Sequence, residues 1–197
     1  MREYFTLLQR TLHWLMAAMV LTMLFIGIGM VSTLQPKFQT LIAIHRPLGI
    51  AILLLAIFRL GVRLRRGAPS LPADLPHWQA IGAKASHYLL YILLIAMPLV
   101  GWSMLSAGGY PIVLGGPIHL PKVMPHNDKL YAFLRSAHTI LAFLFFSTIL
   151  LHVGAALFHA LIRQDGVFSS MAGAMVEVIA NNSFAGRCVR CAGVIGD

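Results

Sequence analysis

The feature that most constrains this sequence is a set of four long apolar stretches. They cover about residues 12–34, 44–64, 87–106 and 135–162. A helix needs about 20 mostly apolar residues to cross a bilayer, and each stretch reaches that length. Only 11% of the residues are charged and 58% are hydrophobic, a balance that excludes a soluble enzyme and a disordered chain. The sequence predicts an all-α membrane protein, an antiparallel bundle of four transmembrane helices.

The predicted bundle occupies residues 1–165 as a single domain, and residues 166–197 are expected to form a flexible cytoplasmic tail. A cleaved signal peptide is the alternative for the first stretch. Its apolar run exceeds the usual 7–15 residues and no A-x-A-like site follows, so a span is favoured. Cys188 and Cys191 lie in the tail. With no second pair and no histidine nearby, this C-x-x-C favours a disordered tail over a redox pair or half a zinc site.

The charged residues predict how the bundle is oriented. The chain has 15 Lys and Arg against 6 Asp and Glu. In so apolar a chain this excess indicates basic loops rather than a nucleic-acid partner. Ten of the basic residues lie on one predicted side of the membrane and five on the other, which places both termini in the cytoplasm.

Histidines inside the predicted spans are the main functional signal. Five of the nine lie within or at the ends of apolar stretches, with no acidic residue nearby: His13, His45, His87, His138 and His152. Hard cations prefer oxygen ligands, and zinc prefers ligands clustered in one place. Neutral imidazoles in an apolar helical bundle suit haem iron. The alternative is that these side chains only form hydrogen bonds between helices.

Helical geometry pairs four of these histidines by depth. His138 and His152 are 14 residues apart, which is ~40° short of four turns and an axial rise of ~21 Å. One helix can therefore present a ligand to each of two stacked haems. His13 is predicted at the depth of His152, on the cytoplasmic side, and His45 at the depth of His138, on the outer side. His87 also lies at cytoplasmic depth and competes for a place in the first pair.

Several sequence motifs resemble those of the prokaryotic cytochrome b561 family. They are LHW from Leu12, HRPLGI from His45, RLGVR from Arg59, SHYLLYILLIAMPLVGW from Ser86 and AHTILAFLFFSTILLHVGAALFHALIRQDGVFSSM from Ala137. The resemblance covers about residues 5–175. It implies a bacterial inner-membrane cytochrome with two haems b, ligated by His13 with His152 and by His45 with His138.

The resemblance also implies electron transfer between an outer donor, such as superoxide, and ubiquinone. A cytochrome subunit that links quinone to a docked hydrogenase or formate dehydrogenase is the alternative. A non-redox transporter or scaffold is a third possibility. The outer side carries five basic residues and one acidic residue, a field that would attract a small anion: Lys37, Arg46, Lys122, Lys129 and Arg135 against Asp128.

Two further groups of polar residues have candidate roles. Arg46 and Arg135 stand near proposed ligands and could pair with anionic haem propionates. A cytoplasmic quinone site could use His159, His87, Lys84 and Arg63 as proton donors and cations. Helix-end anchoring and lipid headgroup contact are the simpler interpretations of the basic side chains.

Overall fold

Four long helices dominate the computed structural model, which describes residues 5–34, 36–67 and 75–173. They are α1 (Leu7–Ser32), α2 (Lys37–Arg66), α3 (His77–Ala107) and α4 (Asp128–Phe158), which continues into a π-helical turn at His159–Arg163. All four are long and apolar enough to cross a membrane. The prediction of a four-helix transmembrane bundle is therefore confirmed.

The helices begin five to ten residues before the predicted spans. Hydropathy detects only the part of a helix that lies in hydrocarbon, whereas polar caps set where the helix starts. Thr6 and Gln9 form a capping box at the start of α1. The Asn127 side chain accepts a hydrogen bond from the Leu130 backbone N–H at 2.9 Å and starts α4. Such caps satisfy backbone N–H groups that have no partner inside the helix.

The connection between α3 and α4 contains a small antiparallel hairpin, β1 (Val113–Gly115) and β2 (Ile118–His119). The prediction of an all-helical chain misses this hairpin, because its strands have only three and two residues. Gly116 turns the chain with a φ of 52°, a conformation that favours glycine. The Trp102 indole N–H donates to the Pro121 carbonyl at 2.9 Å and fastens this connection to α3.

The start of the expected tail is folded. A short helix, α5 (Val167–Ala172), follows the π-helical turn, and its Ser170 carbonyl accepts a hydrogen bond from the Phe5 N–H at 3.3 Å. The described part of the expected tail, residues 166–173, thus contains a helix and a backbone contact with the start of the chain. Gly166 has a φ of 80°, and this positive value lets the chain turn back toward α1. Cys188 and Cys191 lie outside the described residues.

A buried apolar cluster joins the four helices. Its members are Met16, Val20, Ile52, Ala56, Leu93, Leu94 and Phe145. Phe145 lies seven residues from both His138 and His152, so the cluster separates the two histidine levels along α4. Outward-facing apolar side chains are largely exposed, for example Phe25 at 74%. In a membrane protein these surfaces contact lipid.

Backbone packing is uneven around the bundle. Helix α3 packs closely against α4, α1 against α2, and α2 against α3. Within the described residues, α1 with α4 and α2 with α4 are not among the closely packed pairs. These two looser pairs are the ones that carry His13 with His152 and His45 with His138.

Replacing Gly108 with alanine should lower the apparent melting temperature of the protein in detergent. A Cβ atom at this position would lie 2.6 Å from the Tyr110 ring and 2.8 Å from the Tyr131 ring, and overpacking of this kind costs about 1–3 kcal/mol. Gly154→Ala is the matched control, because no atom lies within 4 Å of its added Cβ. Equal melting of the two variants would show that the tyrosine contact does not support this end of the bundle.

Candidate functional site

Two half-buried histidines face each other at the end of the bundle that carries the hairpin. The rings of His45 on α2 and His138 on α4 have centroids 6.3 Å apart and planes 64° apart. The Nδ1 atom of His45 is buried and has no hydrogen-bond partner among the described residues. Gly101 on α3 leaves room for this arrangement, since a Cβ there would lie 3.4 Å from the His138 Cε1 atom. We call His45 and His138 the hairpin-side pair.

A second set of histidines meets at the opposite end, near the described chain ends. The rings of His13 on α1 and His152 on α4 also have centroids 6.3 Å apart, with planes 70° apart. We call these two residues the termini-side pair. His87 on α3 joins them, with its ring centroid 5.3 Å from that of His152. The His87 Nδ1 atom lies 2.7 Å from the Ala83 carbonyl oxygen, to which it donates, so Nε2 is left available.

The ring separations fit one metal ion between each pair. Imidazole nitrogens bind transition metals at about 2.0–2.1 Å, so two nitrogens on opposite sides of an ion lie about 4 Å apart. Each ring centroid is about 1 Å further out, which gives a centroid separation of about 6 Å. Both pairs have this separation at 6.3 Å, whereas His87 and His152 are closer together.

The surroundings of the pairs favour haem over a small closed metal site. In residues 5–34, 36–67 and 75–173, no group of three or more His, Cys, Asp or Glu could hold one ion. A structural zinc site needs four such ligands. The helices that carry the two histidine pairs, α1 with α4 and α2 with α4, are not among the closely packed pairs of the described residues, and this leaves width for a macrocycle. Histidines from facing helices can hold a haem iron in a helical bundle, and each pair would supply two of them.

The two arginines predicted to bind propionates differ in their environment. Arg46 donates from Nη1 to the Pro111 carbonyl at 3.3 Å, and its buried Nε has no partner among the described residues. Arg46 therefore has an unused donor beside His45. Arg135 is exposed on α4 and forms no hydrogen bond or ion pair through its side chain with the described part of the chain.

Arg59 is a polar residue of the site to which the sequence gave no functional role, although it begins the RLGVR motif. Its Nη2 lies 3.0 Å from Nδ1 of His13, and its guanidinium lies over the Tyr91 ring, 5.3 Å from the centroid. The position of Arg59 in the sequence could have indicated that it belongs to the site. Arg59 follows His45 by 14 residues, the spacing that places His138 and His152 on one face of α4.

Asp165 is a second residue that the sequence analysis missed. Its Oδ2 lies 2.7 Å from Nδ1 of His159 and 2.9 Å from Nε of Arg163. Arg163 also donates from Nη1 to the Gln79 side chain at 2.9 Å, which ties the end of α4 to the start of α3. The Asp165 side chain is only 7% exposed. The sequence signal that could have indicated this contact is that Asp165 follows His159 by six residues in a chain with only 6 acidic residues.

The four residues predicted to bind quinone are not joined into one cluster. Arg63 lines a small cleft with Arg59 and Tyr91, Lys84 is exposed, and His159 contacts Asp165. No hydrogen bond between any two of His159, His87, Lys84 and Arg63 occurs in the described part of the chain. The Arg163–Gln79 bond nevertheless places the α3 segment that contains Lys84 and His87 beside the end of α4.

Four spanning helices around buried, facing histidines define the class of membrane b-type cytochromes. The family model of prokaryotic cytochrome b561 matches residues 4–174, and the chain belongs to this family. Cytochrome b561 homolog 1 of Escherichia coli K12 is 29% identical over 85% of this chain and 96% of its own length. A Yersinia pestis protein named probable superoxide oxidase CybB is 30% identical over 87% of this chain and 97% of its own length.

A third relative, cytochrome b561 homolog 2 of Escherichia coli K12, is 27% identical over 87% of this chain and 92% of its own length. Family membership and the four apolar helices together describe a multi-pass bacterial membrane protein that binds b-type haem. Its general role is electron transfer, and it is an oxidoreductase. The resemblance noted in the sequence is thereby confirmed.

Proposed function

We propose that the protein carries electrons from superoxide, on the outer face of the bacterial inner membrane, to ubiquinone near the cytoplasmic face. The observation that carries this proposal is the equal 6.3 Å separation of two histidine pairs at opposite ends of one bundle. The hairpin-side pair is assigned to the outer face, and both termini to the cytoplasm, by the distribution of Lys and Arg. The relative named probable superoxide oxidase supports superoxide as the donor.

Each histidine pair is proposed to hold one haem b, with His45 and His138 on the outer side and His13 and His152 on the cytoplasmic side. A b-type haem supplies an iron centre that gains and loses one electron. The buried cluster around Phe145 excludes water between the two levels. His87 is proposed as a quinone contact because its ring centroid lies 5.3 Å from that of His152, whereas both of the proposed ligand pairs have a separation of 6.3 Å.

Substitution of single histidines should remove the haems in pairs. His13→Ala and His152→Ala should each lose the same haem, and His45→Ala and His138→Ala the other, because the two histidines of a pair would hold the same iron. A pyridine haemochrome assay and the visible spectrum report the haem content per chain. His77→Ala, an exposed histidine at the start of α3, should retain both. A haem lost in His87→Ala but kept in His13→Ala would make the termini-side assignment wrong.

In the proposed reaction, two superoxide ions are oxidised for each molecule of ubiquinone reduced. Two superoxide ions release two electrons and become two molecules of O₂, and ubiquinone takes up two electrons and two protons to become ubiquinol. The protein must therefore supply a proton route at the cytoplasmic end. His159 is proposed as the proton donor, with His87, Lys84 and Arg63 completing the quinone site.

Asp165 is proposed as a positioning residue for His159. Since the buried Asp165 carboxylate accepts the Nδ1–H of His159, the imidazole is oriented and its Nε2 becomes the atom that exchanges a proton with quinone. Arg163 lies 2.9 Å from the same carboxylate oxygen and holds it in place. The rare π-helical turn at His159–Arg163 allows the chain to reach back to His159, and such turns often occur at functional sites.

His159→Ala should slow reoxidation of the reduced haems by a short-chain ubiquinone by about 10² or more, the usual contribution of a general acid. Asp165→Asn should slow it less and change its pH profile, because the ring is no longer oriented. The visible spectra of both variants should be unchanged. Asp128→Asn, an exposed acid at the hairpin end, is the matched control. Loss of a haem in His159→Ala would identify a ligand instead of a quinone residue.

The positive outer face supports an anionic donor. Lys37, Arg46, Lys122, Lys129 and Arg135 all lie at the hairpin end, where Asp128 is the one acidic residue among the described positions. This excess opposes the usual positive-inside distribution, so orientation alone gives no reason for it. A field of this kind raises the encounter rate of a small anion by about tenfold or more at low salt.

Reduction of the haems by superoxide should slow as salt rises from 0.01 to 0.1 M, where the screening length falls from about 30 to 10 Å. Replacing the exposed Lys122 and Lys129 with glutamine should flatten this dependence and leave both haems in place. Arg66→Gln, at the opposite end of the bundle, should leave the salt dependence unchanged. A rate that ignores salt and both substitutions would exclude steering and favour the alternative of a docked oxidoreductase, which copurification would then reveal.

A further inference from the structure

Arg59 is a partly buried cation that has no carboxylate partner among residues 5–34, 36–67 and 75–173. It lies in the middle of the second half of α2, and the acidic side chains among the described residues are Asp128 and Asp165. Asp128 is at the opposite end of the bundle near His126, and Asp165 is engaged by His159 and Arg163. A charge inside a membrane span is costly unless it is paired. The position of Arg59 therefore calls for an anion.

Tyr91 supplies a second unsatisfied group at the same place. Its side chain on α3 is 9% exposed, and its buried hydroxyl has no hydrogen-bond partner among the described residues. Tyr91, Arg59 and Arg63 line one small cleft. Buried hydroxyls are nearly always hydrogen-bonded in folded proteins. A hydroxyl donor and two guanidinium groups around one cleft form a binding site for a carboxylate.

The contact between Arg59 and His13 cannot persist once His13 binds a metal ion. The guanidinium is a donor only, so at 3.0 Å it uses Nδ1 of His13 as the acceptor. If iron binds Nε2, the neutral ring carries its proton on Nδ1 and has no acceptor to offer. If iron binds Nδ1, the same lone pair is taken. In both cases Arg59 loses its acceptor on His13 when the cofactor binds.

We propose that Arg59 and Tyr91 together bind one carboxylate of the haem held by His13 and His152. The proposal rests on the haem assignment made under the proposed function. The haem brings its own anionic propionates into the site at the moment when Arg59 needs a new acceptor. A guanidinium can bind a carboxylate through two parallel N–H donors, and the Tyr91 hydroxyl can donate a third hydrogen bond. Arg63 adds positive charge beside them. Helix α2 would then supply a propionate-binding arginine at each level, Arg46 beside His45 and Arg59 beside His13.

Infrared difference spectroscopy of the intact cytochrome tests this directly. Haem is labelled with ¹³C at its carboxylates during expression, and the bands that shift with the label are compared between oxidised and reduced protein. Arg59→Gln and Tyr91→Phe should each change the bands of one haem. Arg65→Gln removes an equal charge from an exposed position of α2 and should leave them unchanged. Arg59→Lys should keep the charge and still alter the bands, because it loses the paired donors.

A redox titration gives the second readout. Loss of the Arg59 cation favours the more positive oxidised iron, so Arg59→Gln should lower the midpoint potential of the haem that His13→Ala removes. The proposal is overturned if Arg59→Gln retains both haems and its labelled carboxylate bands are unchanged. This holds even if the midpoint potential falls, because Arg59 would then act through its charge without binding the carboxylate. If Arg59→Gln does not fold and bind haem, Tyr91→Phe serves instead, and unchanged labelled bands in that variant overturn the proposal. Retention of both haems in His13→Ala would instead show that the ligand assignment has failed.

Discussion

Every polar group inside a bilayer needs a partner, and this constraint organises the whole protein. Water is absent from the hydrocarbon, so an imidazole or guanidinium there must bind another protein group or a cofactor. The backbone meets the requirement with four long helices. His45 does not meet it, since its buried Nδ1 has no hydrogen-bond partner among the described residues. An unsatisfied polar atom inside a bilayer marks a position where a bound group can provide the missing partner.

Helix α4 relates the two ends of the site to each other. It provides one histidine to each pair, and the ~21 Å rise between them spans most of a hydrocarbon core. The partners come from different helices, His13 from α1 and His45 from α2. Because α1 and α4, like α2 and α4, avoid close backbone packing, the bundle has width where the ligands face each other. Helix α3 closes the other side and packs tightly on α4.

The few charged residues among the described positions are arranged by the same constraint. Asp165 is buried, yet it is satisfied by His159, Arg163 and the Val167 backbone N–H. That network holds the end of α4, the π-helical turn and the start of α3 in one arrangement. Arg59 has no such network and rests on a neutral histidine and an aromatic face. Asp165 therefore has charged partners within the protein, whereas the described contacts of Arg59 are with uncharged rings.

The sequence by itself determined the four spans, the family and the depth at which each histidine lies, because hydropathy and helical periodicity are local properties. Local patterns do not report which side chains from different helices meet. Only the tertiary structure brought His87 to within 5.3 Å of His152, placed Arg59 against His13, folded Asp165 back onto His159 and left Arg135 exposed. These contacts depend on how helices rotate and cross, and on turns such as Gly166, where positive backbone angles redirect the chain. The partners of a buried charge are therefore decided by packing over long distances in the sequence.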